Sequence, residues 1–146
     1  MSVKDNPQYV EGHGLLKGKS VLVTAAAGVG IGFSAATRAA EEGARAVMIS
    51  DVHEKRLAQA VEKLKADTGL EQVYGKLCNV TDEDEVQALV NEAEDTMGGV
   101  DVLINNAGLG TQKALLDMPD DEWMKVIDVC LLYTSDAADD LLCVDL

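Results

Sequence analysis

Basic residues are scarce in this chain: 12 lysines and arginines stand against 26 aspartates and glutamates, a net charge of −14. That balance excludes the phosphate-neutralising surface that nucleic acids and anionic membranes require, so neither is expected as a partner. Cysteine is equally rare. Cys78, Cys130 and Cys143 have neither metal nor disulfide spacing, so no metal site is expected and a reducing, cytoplasmic setting is the expected location. No apolar run exceeds the length of a strand, and nothing resembles a signal peptide or a transmembrane span. With 146 residues the chain is one domain at most, large enough for a hydrophobic core.

What the chain does have is a glycine-rich loop between an apolar run and a helix-like segment. Val21 to Val23 read as a buried strand. Gly28, Gly30 and Gly32 follow, and Ile31 opens a segment that runs to Gly43. Strand, glycine loop and helix together aim free backbone N–H groups and a positive helix end at a phosphate. A second apolar run ends at Asp51, 19 residues beyond Gly32. A dinucleotide fold places an acid there to hold the adenosine ribose hydroxyls. The same carboxylate repels a 2′-phosphate, which reads as NAD over NADP. The competing reading is that Asp51 caps a helix starting near His53.

Further along, strands and helices alternate. Strands are expected near 20–24, 46–50, 72–78 and 100–105, and helices near 31–42, 53–67 and 82–97. The first helix is alanine-rich (Ala35, Ala36, Ala39, Ala40), which lets it lie close on a sheet. The second places Leu57, Val61 and Leu64 on one face, and the third Val86, Leu89, Val90, Ala93 and Met97. Thr81 reads as the N-cap of the third. These stripes are core faces rather than ligand boxes. Residues 1–18 read as a loose N-terminal arm.

Near-continuous apolar strands alternating with helices predict an α/β fold, a three-layer parallel sheet of the Rossmann type with strand order 3-2-1-4. The cofactor crevice then lies between strands 1 and 4, at their carboxyl ends. The fourth strand runs into Asn105, Asn106, Ala107 and Gly108 at that crevice.

These pieces resemble the short-chain dehydrogenase/reductase family. The resemblance rests on Thr24 to Gly32, Asp51, Cys78-Asn79-Val80, Asn105 to Gly108, and Asp120 to Val129, and covers residues 15–129. It implies a partial nucleotide-binding domain over 19–129, NAD as cofactor, and Gly28, Gly30, Ile31, Gly32, Asp51, Asn79, Val80, Asn106, Ala107 and Gly108 as cofactor-binding residues. Asn79 stands where the family often has an aspartate that accepts from the adenine amino group. The loop is one residue longer than usual and has Ala25 for the first glycine. That variant is similar to a bacterial subgroup acting on acyl-CoA or steroid-derived ketones.

The implied reaction is hydride transfer between nicotinamide and a carbonyl or secondary alcohol, with a homo-oligomeric parent acting on a small molecule. The family's catalytic serine, tyrosine, lysine and asparagine have no counterparts here. Cys130 stands where the asparagine would follow, and Tyr133 has Ala137 four residues on where the family has lysine. No catalytic residue is therefore assigned.

Residues 130–146 resemble translated sequencing adapter, so the expectation is a native sequence that stops at Val129, a sheet cut short after four strands, and an inactive fragment. A non-catalytic nucleotide-binding or scaffold protein is the alternative, and an epimerase or dehydratase of the extended branch a further one. Trp123 reads as core or interface, and Leu109 to Leu116, including Gln112, as the rim of a substrate pocket.

Overall fold

A computed structural model describes residues 8–110 and 113–132. Residues 1–7 of the expected arm, Gln112, and the tail from Tyr133 through Ser135 and Ala137 to Leu146 lie outside the described residues.

Among the described residues, four strands and four helices follow in alternation until the last two helical pieces. They are β1 (Ser20–Val23), α1 (Ile31–Glu41), β2 (Ala46–Asp51), α2 (Glu54–Thr68), β3 (Val73–Leu77), α3 (Glu83–Met97), β4 (Val102–Ile104) and α4 (Asp120–Ile127). A single 3-10 turn precedes α4, and a wider π-helical turn over Asp128–Leu132 follows it. All strand pairs are parallel and the order is β3-β2-β1-β4, as the crossover rule requires.

Alternation along the central strands sorts side chains to two faces. Val21, Val23, Val47 and Ile49 pack with Phe33, Ala36, Ala39, Leu57, Ala60 and Leu64 beneath α1 and α2. Leu22 and Met48 pack with Leu89, Ala93 and Met97 of α3 on the other face. The sheet is thus a layer between two helical layers, with β1 and β2 buried along their whole length.

Several expectations change. The N-cap of α3 is Asp82, whose carboxylate accepts the Glu85 N–H at 3.1 Å. Thr81 instead donates its N–H and hydroxyl to Asn79 Oδ1, at 3.2 and 2.9 Å. Two cap-competent residues stand side by side, and Asn79 takes the first. Val90 is 40% exposed, because it borders an apolar groove of about 360 Å³ between α3 and β4. Trp123 is half-exposed rather than core, on a helix with no buried residue.

The described part of the N-terminal arm is tied down. The Glu42 carboxylate accepts the backbone N–H groups of His13, Gly14 and Leu15 at 3.0, 3.1 and 3.0 Å, and pairs with Arg38. Those donors, Leu15 first, hold the Glu42 carboxyl down at about 2. Tyr9 adds a hydrogen bond to Glu41 and lies under the Arg38 guanidinium. At the other end of the sheet, Asp101 accepts from Ser20 N–H at 2.8 Å and Lys19 Nζ at 2.9 Å, which fastens the entry of β4 to that of β1.

Candidate functional site

The carboxyl ends of β1 and β4 are stitched by two side chains. Thr24 Oγ1 accepts the N–H groups of Asn106 and Ala107, at 3.0 and 3.2 Å. The Asn106 amide donates in return to the carbonyls of Thr24 and Ala25, at 2.9 and 3.1 Å. A threonine at the end of β1 and an asparagine just beyond β4 thus close the gap that parallel pairing leaves when two strands diverge.

Above this clasp the glycine loop turns into α1. Ala25 takes a left-handed backbone, φ +52°, a conformation that glycine adopts without the strain alanine bears. Ala26 N–H returns to the β2 backbone at Ser50 O, 2.9 Å. Ala27 N–H donates to Asp51 Oδ2 at 3.2 Å. Gly32 keeps the Asn106 side chain in place: a Cβ there would lie 2.4 Å from its amide nitrogen and push it aside. The N-terminus of α1, capped by Gly30, has no side-chain cap and no acid in its first turn. The positive helix end is therefore left for an anion.

Asp51 does more than one job. Its Oδ1 accepts His53 N–H at 3.0 Å, beside the His53 ring at 3.3 Å and the Arg56 guanidinium at 3.7 Å. The carboxylate thus faces the crevice and braces the backbone entering α2 without capping it, since the N-cap of α2 is His53 and no side chain caps that helix end. The side chain is nine-tenths buried.

The result is a crevice of about 260 Å³ into which Gly28, Gly30, Ile31, Gly32, Asp51 and Asn106 converge. Gly30 opens on free space, and Val29 and Ile31 project almost wholly exposed at its lip. Three glycines, an uncapped helix end, a carboxylate and an amide suit a phosphate flanked by a hydroxylated sugar. This donor set fits a dinucleotide.

Four of the expected residues stand elsewhere. Asn79 lies at a separate hollow beside Cys78 and Glu85, with its N–H bonded to Glu85 Oε2 at 2.7 Å and its amide oxygen taken by Thr81. Burial there pushes the Cys78 thiol up to about 11. Val80 lines the apolar groove between α3 and β4. Ala107 contributes its N–H to the clasp, and Gly108 turns toward Cys130. Cys130, on the π-helical turn, accepts Leu109 N–H at 3.2 Å and so ties α4 to the loop after β4.

Three participants went unread in the sequence. The sequence pattern carries no sign that Thr24 forms the clasp with Asn106. Phe33 and Arg56 both line the crevice. Arg56 had a readable signal, since a residue five beyond Asp51 falls in the first turn of α2 and comes back over the strand end.

The family model described as short chain dehydrogenase matches residues 19–137. The chain is 50% identical over 131 residues to (5R,7aS)-5-hydroxy-7a-methyl-1-oxo-2,3,5,6,7,7a-hexahydro-1H-indene-carboxyl-CoA reductase of Mycobacterium tuberculosis, covering 90% of this chain and 49% of that protein. A short chain dehydrogenase structure from Mycobacterium smegmatis shares 50% identity at a TM-score of 0.84, over 91% of this chain and 55% of that one. L-sorbose reductase from Gluconobacter frateurii, complexed with NADPH and L-sorbose, is 28% identical at a TM-score of 0.75, over 84% of this chain and 46% of that one. The chain spans about half the length of the curated relatives it matches.

Proposed function

Because the chain belongs to the short-chain dehydrogenase family, we propose that its crevice seats the adenosine and pyrophosphate portion of a nicotinamide dinucleotide. The reaction of the whole protein is then hydride exchange between nicotinamide and a carbonyl or secondary alcohol. The observation that carries this reading is the convergence of an uncapped, acid-free helix end with Asp51 and Asn106 around one crevice.

Each group in the chain has a task in this scheme. Backbone N–H groups at Gly30 to Gly32 meet the pyrophosphate. Asp51 accepts from ribose hydroxyls with the lone pairs that Ala27 and His53 leave free, which supports NAD as a cofactor. Asn106, Ala107 and Gly108 form the floor toward the nicotinamide, whose part is to give or take the hydride. Asn79 and Val80 are assigned to the adenine edge. For Asn79 this requires the Thr81 hydrogen bonds to its amide oxygen to be shared or released.

The substrate we infer is a ketone or alcohol carried on an acyl-CoA. Support comes from the lengthened loop and from the 50% identity to a CoA-linked reductase. No tyrosine in the chain is followed four residues later by lysine, so the 146-residue chain binds the dinucleotide weakly and turns over no ketone. That absence equally favours, for the chain taken alone, a nucleotide-binding protein without catalysis.

Titration of NADH into the purified chain, followed by its fluorescence, tests the cofactor reading. Saturable binding lost in Asp51→Ala and Asn106→Ala is expected; no binding of any nicotinamide dinucleotide overturns it. Measurable ketone reduction by the same preparation overturns the claim of inactivity.

A further inference from the structure

We propose that His53 is a positioning residue for the nucleotide, its ring proton deciding whether Asp51 is free to hold the ribose hydroxyls; the inference rests on the nucleotide reading above. The two oxygens of Asp51 are unequally engaged. Oδ2 accepts one backbone N–H, from Ala27 at 3.2 Å. Oδ1 accepts the His53 N–H at 3.0 Å, and it also lies 3.3 Å from the ring Nδ1 of the same residue and 3.7 Å from Arg56 Nη2. A carboxylate oxygen offers about two acceptor positions. Once the ring donates strongly, Oδ1 has none to spare.

The fold holds this contact in place. Leu57 N–H donates to the His53 carbonyl at 2.9 Å, which fixes the backbone at the N-cap of α2. The imidazole does not cap the helix and stands instead against the strand end. More than half of the side chain is exposed, so water supplies and removes its proton. An imidazole changes charge between about pH 5 and 8. A protonated ring donates a charge-assisted hydrogen bond to Oδ1, roughly twice as strong as a neutral one. The N-terminus of α2 disfavours a cation, so the protonated ring leans on Asp51 all the more. A neutral ring claims Oδ1 weakly and leaves it to a hydroxyl donor.

The groups around the ring do not supply this switch. Asp51 ends β2, Glu54, Lys55 and Arg56 form the first turn of α2, and Cys78 and Glu85 border the adjoining hollow with Val52. Histidine alone among these residue types ordinarily changes charge in that range, and burial pushes the Cys78 thiol up to about 11. His13 lies away on the arm, against Glu42.

The test is adenosine, which carries both ribose hydroxyls and no phosphate to titrate. Its binding to the full chain is followed by NMR shifts at about pH 5.5 and about pH 8. The unaltered chain is expected to bind it at least about fivefold more tightly at the higher pH. In His53→Asn the two constants should agree within about twofold, at the tighter value. The 2′,3′-dideoxy analogue offers Asp51 no hydroxyl and should bind weakly and equally at both. Circular dichroism checks that each protein is folded at each pH.

Three results overturn the proposal and leave the nucleotide reading standing: adenosine binding that is equal at the two pH values, a pH dependence that survives in folded His53→Asn or in the dideoxy analogue, or no adenosine binding where NADH still binds. Binding of neither adenosine nor NADH overturns both.

Discussion

Replacing Gly32 by alanine probes how the nucleotide loop and the β4 strand end hold each other. A Cβ at this position lands 2.4 Å from the Asn106 amide nitrogen and 2.9 Å from its Cγ, so the amide must swing away. It then loses its bonds to the Thr24 and Ala25 carbonyls, at about 1 kcal/mol each. Alanine's helix preference returns at most about 1 kcal/mol. The net cost of Gly32→Ala is therefore about 1–2 kcal/mol, and Asn106→Ala alone should cost about 2 kcal/mol. In the double variant the Asn106 amide no longer obstructs and only the Ala26 Cα, 3.2 Å from the new Cβ, stays tight, so the alanine becomes close to neutral. Urea denaturation of the four proteins gives the coupling energy directly. It should be about 1–2 kcal/mol; costs that add to within ~0.5 kcal/mol would refute the steric account.

Other expected outcomes follow from single groups. Ala25→Gly relieves a left-handed alanine worth roughly 1–2 kcal/mol against an unfolded-chain entropy cost of roughly 0.4–1, so the urea midpoint should rise. Ser50 Oγ is buried with no hydrogen-bond partner among the described residues, and Ser50→Ala should stabilise the chain by about 1 kcal/mol in the same assay. The Glu42 carboxyl sits at about 2 rather than its ordinary 4.5. A depressed carboxyl stabilises the fold above its unfolded value and loses that contribution as pH falls through the folded one. Protection of the His13, Gly14 and Leu15 amides against hydrogen exchange should thus decline between pH 4.5 and 2, and Glu42→Gln should weaken it at neutral pH and flatten that decline.

Much of the architecture was written locally. Apolar runs marked the four strands, helical stripes such as Leu89, Ala93 and Met97 marked the faces that pack, and the alternation of the two fixed the strand order. The glycine loop, Asp51 and Asn106 converge as their spacing in the chain foretold. The readings that changed depend on partners distant in sequence or on competition between neighbours. Glu42 looks like one more surface acid until the arm 27–29 positions earlier is found on it. Thr81 and Asp82 are equally good caps on paper, and only the Asn79 side chain decides between them. Val90 belongs to a perfect stripe, yet the strip of sheet opposite it, at Leu103, is half-exposed. Asn79 and Val80 line hollows beside the crevice rather than the crevice itself, a placement set by the turn that follows β3 and not visible in the motif.

The Thr24–Asn106 clasp joins residues 82 positions apart. Contacts of such span form only after the intervening chain has been gathered in, so the receptacle is among the last features to take shape as the polypeptide folds. Any small molecule that prefers the finished receptacle would withdraw population from half-assembled forms. Ligand retention would then measure whether the final strand has docked, a property useful for following maturation of this chain in real time.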